Sequence, residues 1–359
     1  MRFKLACLLF ISVFILASCQ VTVTAPTETS PILPTSIPTA IPTQVPIQPI
    51  KYPQVISGEN AGGLKKVAEY KANQPMQLVW LNNCQAFWVI NDSSAVQIDR
   101  KTGKSESVFT AVNPGQILSA SSDGETILHL DPNQKEIGIF NRKSNNTLMI
   151  NPETLFASAD FSPDGTRISI PSLDKLEVSI WDVESGSRLK TLQGFETAAP
   201  VYNAHIGADN RSLIWYSRAT LQLQNLDDQR MGPKFSHEDF VTGFDLTSNG
   251  RVLASSAGGT INGVYSQLVY LWDTQSGSNL ASIPYPDSIS VLAFSPDGKI
   301  LAGASAGNLI LWDMATFKVI NIIQGQSKTI YTLSFSPDGK SLLSSSLEDN
   351  LVKLWQVLQ

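Results

Sequence analysis

Phe335-Ser-Pro-Asp-Gly339 repeats, residue for residue, Phe294-Ser-Pro-Asp-Gly298 and Phe161-Ser-Pro-Asp-Gly165. The five residues spell a turn. Pro presets the first turn angle, Asp can bond the nearby backbone, and Gly accepts a positive φ. An alternating apolar run precedes the turn, as in Thr332-Leu-Ser-Phe335, and another follows, as in Ser341-Leu-Leu-Ser344. Two strands joined by a tight turn form a hairpin.

Weaker copies fill the gaps: Ser122-Asp-Gly124, Ala208-Asp-Asn210, Ser248-Asn-Gly250 and a degraded first copy, Trp80-Leu-Asn-Asn-Cys84. With the Asp or its substitute as marker, the series runs Asn83, Asp123, Asp164, Asp209, Asn249, Asp297, Asp338, in steps of 40 to 48 residues. A second marker closes each unit: Ile180-Trp-Asp182, Leu271-Trp-Asp273, Leu311-Trp-Asp313 and Leu354-Trp-Gln356. Its looser forms are Ile98-Asp99, Ile139-Phe-Asn141 and Leu226-Asp227, and its steps run from 40 to 46 residues. Two markers keeping one period predict seven units of an all-β repeat. Trp181, Trp272, Trp312 and Trp355 recur in register and are read as core residues. Asp164, Asp297 and Asp338 are explained by turn geometry.

These Trp-Asp dipeptides, Phe-Ser-Pro-Asp-Gly turns and the period of about 40 residues resemble the WD40 family. The resemblance covers residues 64 to 359, most strongly in the third, sixth and seventh units. It implies a seven-bladed β-propeller of four-stranded blades around a central channel. The family often places Gly-His before each blade and an Asp-His pair in a buried network. Here Gly194-Phe195 and Gly325-Gln326 take the Gly-His place. Asp349 stands six residues before Trp355, where the network Asp belongs, but Ala306 and Ser266 hold the same offset from Trp312 and Trp272. Most blades are therefore expected to rest on apolar packing. The chain ends just past the third strand of unit seven, so Leu64-Lys-Lys-Val-Ala-Glu-Tyr70 is expected to complete the last blade and remove an open edge.

The N-terminus reads as an address. Arg2 and Lys4 precede an apolar stretch, Leu5 to Ala17, of secretory-signal length. It ends in Leu16-Ala-Ser-Cys19, which resembles the lipobox of bacterial lipoproteins. The resemblance implies cleavage after Ser18 and acylation of Cys19, hence a bilayer-anchored protein on the extracytoplasmic side of a bacterial membrane. Residues 19–63 follow as a stalk, with Pro at 26, 31, 34, 38, 42, 46, 49 and 53. Each Pro fixes φ and removes a donor, so extended polyproline II is expected. At roughly 3.1 Å per residue, Pro26 to Pro53 would reach about 85 Å. The domain reading is thus 1–18 signal, 19–63 lipidated stalk and 64–359 propeller.

Bulk numbers set limits on partners. The chain has 359 residues, 26 basic and 31 acidic, and no basic run. An acidic surface argues against nucleic acid, which needs a clustered basic face. Of Cys7, Cys19 and Cys84, only Cys84 is left for the folded part, as a small buried hydrophobe. His129, His205 and His237 fall in different units, none at metal spacing, and each is read as satisfied or exposed. No nucleophile elbow or P-loop occurs, and no catalytic residue, cofactor or metal is expected. Gly258-Gly-Thr-Ile-Asn-Gly263 is placed in a long loop, and the insertion at 258–267 with Tyr265 is a candidate partner contact. Trp215 and Tyr216 are out of register and are further candidates, weighed against core packing. The expected function is a monomeric interaction scaffold for another protein or an envelope component. The alternative is a small-ligand or hydrolytic site in the channel.

Overall fold

Seven units appear in the chain order that the two markers set, six of four strands and the last with an added two-residue strand. A computed structural model describes residues 53–111, 117–156, 158–193 and 203–358. The signal segment, Cys19 and the stalk through residue 52 lie outside the described residues. Blade 1 is Gln77–Trp80, Ala86–Ile90, Ser94–Asp99 and Ser105–Thr110; blade 2 is Ile117–Ala120, Thr126–Leu130, Ile137–Asn141 and Asn146–Ile150. Blade 3 is Asp160–Phe161, Arg167–Pro171, Glu177–Asp182 and Arg188–Gln193; blade 4 is Asn203–Ile206, Ser212–Ser217, Thr220–Asn225 and Met231–Ser236. Blade 5 is Gly243–Leu246, Val252–Ile261, Val264–Asp273 and Asn279–Tyr285; blade 6 is Val291–Phe294, Ile300–Ser305, Asn308–Asp313 and Lys318–Gln324. Each is an antiparallel meander, first strand innermost. Blade 7 supplies only Thr332–Phe335, Leu342–Ser346 and Leu351–Leu358 from the C-terminus. Its outer strand is Leu64–Lys71, paired antiparallel with the third strand from Leu64↔Val357 to Lys71↔Leu351. The predicted closure is what the structure has.

The turn between first and second strands is built alike in most blades. In blade 7, Ser336 Oγ donates to Asp338 at 2.6 Å and accepts from the Ser341 N–H at 2.9 Å, while the Lys340 N–H donates to Asp338 at 3.0 Å. Gly339 takes φ +68°. Ser295/Asp297 and Ser162/Asp164 repeat the arrangement, and Thr247/Asn249 builds it from related residue types. Cys84 and Asn210 occupy the Gly position at φ +57° and +56°. The Asp of each Trp-Asp pair serves the turn between third and fourth strands. Asp182, Asp273 and Asp313 each accept from the backbone N–H and hydroxyl of a Ser or Thr three residues on. Those hydrogen bonds hold all three carboxyls below the ordinary Asp value.

Alternation along each strand sends apolar side chains into the seams between blades. The buried core of the described residues divides into seven clusters, one per seam. Ile180, Leu192, Ile206 and Leu213 fill the seam between blades 3 and 4, for example. Burial at about 25 cal/mol per Å² of apolar surface drives this stacking, since no single blade can hide both of its faces.

Two expectations change. The stalk was expected to run to residue 63, but Pro53–Gln54 pairs with Leu358 and Val357, and Ile56 and Ala61 are fully buried beside blades 6 and 7. Asn321 Nδ2 donates to the Ala61 carbonyl at 3.0 Å, and the Ile56 N–H donates to the Gly339 carbonyl at 3.0 Å. The prolines stop at 53, so the apolar and small residues beyond it are free to pack. Second, residues 258–267 are not a long loop. They belong to a hairpin of two ten-residue strands, Val252↔Asp273 through Ile261↔Val264. Asn262 and Gly263, at φ +52° and +78°, form the two-residue turn at its tip.

Candidate functional site

The meander puts the first–second and third–fourth turns on one face of the ring. The second–third turns and the connections between blades share the opposite face, here called the loop face. Over blades 3 to 5 the loop face carries Leu155, Leu176, Phe240, Val264 and Tyr265, all exposed. Hydrogen bonds fix the backbone beneath them. The Leu173 N–H donates to the Leu155 carbonyl at 2.7 Å, and the Leu155 N–H donates to Asp174 at 3.1 Å. The blade 5 hairpin is tied to the connection before it: Thr260 Oγ1 donates to Glu238 at 2.8 Å and Tyr265 Oη to Asp239 at 2.6 Å. The Tyr265 side chain lies across Gly258, where a Cβ would meet its hydroxyl. Exposed apolar side chains held on ordered backbone are what a docking surface requires.

The three candidate contacts separate. Tyr265 is 55% exposed and stands at the hairpin base of the tip turn. Trp215 is fully buried in the seam between blades 3 and 4, with its Nε1–H donated to Gln224 at 3.0 Å, which removes it from any contact surface. Tyr216 is half-buried, its hydroxyl donating to the Val241 carbonyl at 2.9 Å, and it is likewise a packing residue. The strand period explains both: they sit on the second strand of blade 4, which neighbours cover on both sides.

Beside the apolar packing expected of most blades, blades 5 and 7 carry polar networks. In blade 7, Trp355 Nε1 donates to Ser344 Oγ at 2.9 Å, and Gln326 Nε2 approaches the same oxygen at 3.3 Å. Asp349 accepts from the Ser327 N–H at 2.9 Å and from the Ser327 hydroxyl. Gln326 thus fills the histidine's place. In blade 5, Trp272 Nε1 meets Ser255 Oγ at 2.9 Å, and His237 Nε2 lies 2.8 Å from that oxygen. Sequence reasoning missed His237 because the hairpin insertion stretches its distance to Trp272. Blade 6 lacks the network: Gly303 occupies the serine position, the Trp312 ring lies over it, and Trp312 Nε1 has no partner. Trp181 bonds Ser179 at 2.8 Å within its own strand.

A second feature lies on the inner strands. One residue before the last of each first strand stand Val79, Ser119, Asp160, His205, Asp245, Ala293 and Ser334. Blades 3 to 5 thereby bring two carboxylates and an imidazole to one level of the channel. His205 Nδ1 lies 3.0 Å from Asp160 Oδ2, and Ser119 and Gln77 add hydrogen bonds to Asp160. Asp245 accepts from the Phe294 N–H at 2.6 Å and the Leu246 N–H at 2.8 Å. Burial pushes the Asp160 carboxyl up, but His205 with Ser119 and Gln77 outweighs it and the net shift is down. Burial pushes His205 down, and the Asp160 hydrogen bond with both carboxylate charges outweighs that, so it is raised. Burial lifts Asp245 to about 6, because the Phe294 and Leu246 N–H donors and the His205 charge offset it only in part. No group of three or more His, Cys, Asp or Glu among the described residues has the geometry to hold a metal ion. An open cleft between blades 4 and 5, lined by Gln224, Arg230, Pro233 and Thr274 among others, does not include any residue of the row.

Comparison with known proteins bears on the whole ring. Residues 277–313 and 317–356 match the WD40 family, "WD domain, G-beta repeat". A WD repeat-containing protein, SL1-17, of Schistosoma mansoni is 31% identical over 150 residues, 41% of this chain and 46% of that protein. Autophagy-related protein 16 of Arabidopsis thaliana is 25% identical over 175 residues, 48% of this chain and 33% of its own length. The chain thus matches less than half the length of these relatives. Among solved structures, a chain of Kuenenia stuttgartiensis hydrazine synthase superposes with a TM-score of 0.64 at 13% identity, over 79% of this chain and 95% of that one. At that identity the likeness speaks to fold alone. The fold is that of a seven-bladed WD40-like β-propeller, and its last two repeats match the WD40 family directly.

Proposed function

We propose that this protein is a lipid-anchored interaction scaffold of a bacterial cell envelope, held to the membrane through acylated Cys19 and binding another protein or envelope component with its loop face. The observation that carries the reading is the set of exposed apolar side chains over blades 3 to 5, on backbone fixed by hydrogen bonds. Repeats matching the WD40 family support a binding role in general. The anchor rests on the sequence Leu16-Ala-Ser-Cys19.

Two arms test it. Cys19→Ala should move the protein from the membrane to the soluble fraction. A protein that stays with the membrane sinks the anchor. In crosslinking of intact cells, wild type should give adducts that the double variant Phe240→Ser, Val264→Ser loses while keeping its melting temperature. Identical adducts from both proteins remove the loop face as the docking surface.

The row Asp160, His205 and Asp245 favours a second reading, a small polar ligand in the channel. It would gain from a titration in which such a ligand raises the melting temperature of wild type and not of Asp245→Asn.

A further inference from the structure

We propose that His205 is a proton-operated clasp joining the inner strands of blades 3, 4 and 5, so that the ring tightens in mild acid and loosens as pH rises past neutral. The geometry comes first. From blade 3, Asp160 meets the His205 Nδ1 at 3.0 Å. From blade 5, the charge of Asp245 acts on the imidazole, and the Phe244 ring packs 5.8 Å from it, centroid to centroid. Behind Asp160 stand Ser119 of blade 2 and Gln77 of blade 1, with Gln77 Nε2 3.3 Å from Ser119 Oγ. Behind Asp245, the Phe294 N–H of blade 6 holds one oxygen. His205's own strand, Asn203–Ile206, has no other titratable group. The side chains of His205 and Asp160 keep 34% and 20% of their surface open, so protons can reach them from the channel.

Protonated, the imidazole pairs with the Asp160 carboxylate and, once Asp245 ionises, is attracted by its charge as well. Neutral, it can still donate one hydrogen bond to Asp160, but Asp245 then keeps only its two backbone N–H donors and no positive charge. Two carboxylates in a confined space then repel through an uncharged ring.

The direction of the pH effect follows group by group. His205 is raised, so its contribution is full below the ordinary histidine value and is lost as pH rises through the higher folded value. Asp245 is raised to about 6, so the fold favours its neutral form, and that contribution is lost as pH rises from about 4 through about 6. Asp160 is lowered, so its contribution is present above the ordinary Asp value and lost only in stronger acid. All three agree on a mildly acidic optimum.

The test uses the full folded chain. Imidazole resonances of the three histidines are followed by NMR from pH 5 to 9, with His205 assigned by its absence in His205→Gln. His205 should titrate above the ordinary histidine value and His237, which burial lowers, below it. Melting temperatures are read over the same range. From pH 6 to 8.5, wild type should lose roughly 2–4 °C more than His205→Gln. Asp245→Asn should lose less than wild type while His205 still titrates high through Asp160. If His205 titrates at or below the ordinary value, or if both variants keep the wild-type slope, there is no clasp. Should His205→Gln fail to fold, the wild-type titration and Asp245→Asn decide alone.

Discussion

Blades 6 and 7 and blades 3 to 5 occupy the same ring with different chemistry. Blades 6 and 7 keep the Phe-Ser-Pro-Asp-Gly turn, and at the channel level they place Ala293 and Ser334. Blades 3 to 5 place Asp160, His205 and Asp245 at that level, and their loop face carries Leu155, Leu176, Phe240, Val264 and Tyr265. Blade 3 keeps the turn and Trp-Asp motifs as fully as blade 6 does, and wherever those motif residues occur they serve turns and packing. Where side chains leave the pattern, they bring charge to the channel and apolar surface to the rim. In a repeat protein, departures from the repeat are thus the better guide to function.

The strongest way to break this contrast is at the closure. Deleting Pro53–Lys71 removes buried Ile56, Ala61, Leu64, Ala68 and Tyr70 from the seams beside blade 7. The loss should be on the order of 5 kcal/mol or more, read as collapse of cooperative thermal unfolding. An unchanged transition would mean that the well-patterned half closes without it.

A sharper comparison lies within that half. Trp355→Phe leaves Ser344 without its indole donor and should cost about 1–2 kcal/mol in denaturant unfolding. Trp312→Phe leaves a similar gap but removes a nitrogen that has no partner, and should cost about 1 kcal/mol less than Trp355→Phe. Equal costs would show that the polar network of blade 7 adds nothing to packing. The smallest effect is expected at Ala306, exposed and at φ +51°. Ala306→Gly should stabilise blade 6 by a few tenths to about 1 kcal/mol, visible as a small rise in denaturant midpoint. A fall instead would mean the turn gains nothing from relief of backbone strain.

Much of the fold was legible because its information is local. Ser-Pro-Asp-Gly encodes its turn within five residues, and the Asp of Trp-Asp encodes another three residues on. Even degraded copies kept the register, since Asn83 still accepts from the Gln85 N–H at 2.9 Å and Cys84 still takes the positive φ. The closing strand was legible by subtraction, as a blade short of one strand. The hairpin of blade 5 was missed although Asn262-Gly263 signals a two-residue turn, because its glycines at 258 and 259 read as loop. There they make room for the Tyr265 and Tyr270 side chains. The channel row was missed for a different reason. Asp160, His205 and Asp245 lie at least 40 residues apart, and only the blade register brings them together. The usable signal is the residue before the last apolar position of each inner strand, read across all seven units.

The closing strand also decides how the ring meets force. Tension applied through the chain ahead of Pro53 reaches the Pro53–Gln54 pairing with Leu358 and Val357 first, then buried Ile56 and Ala61, then the Leu64–Lys71 ladder. Those elements are also the ones that shut the circle. A protein tethered at its N-terminus and pulled by a bound partner would therefore carry the whole load through its own clasp, and the seam that completes the ring would be its mechanical fuse.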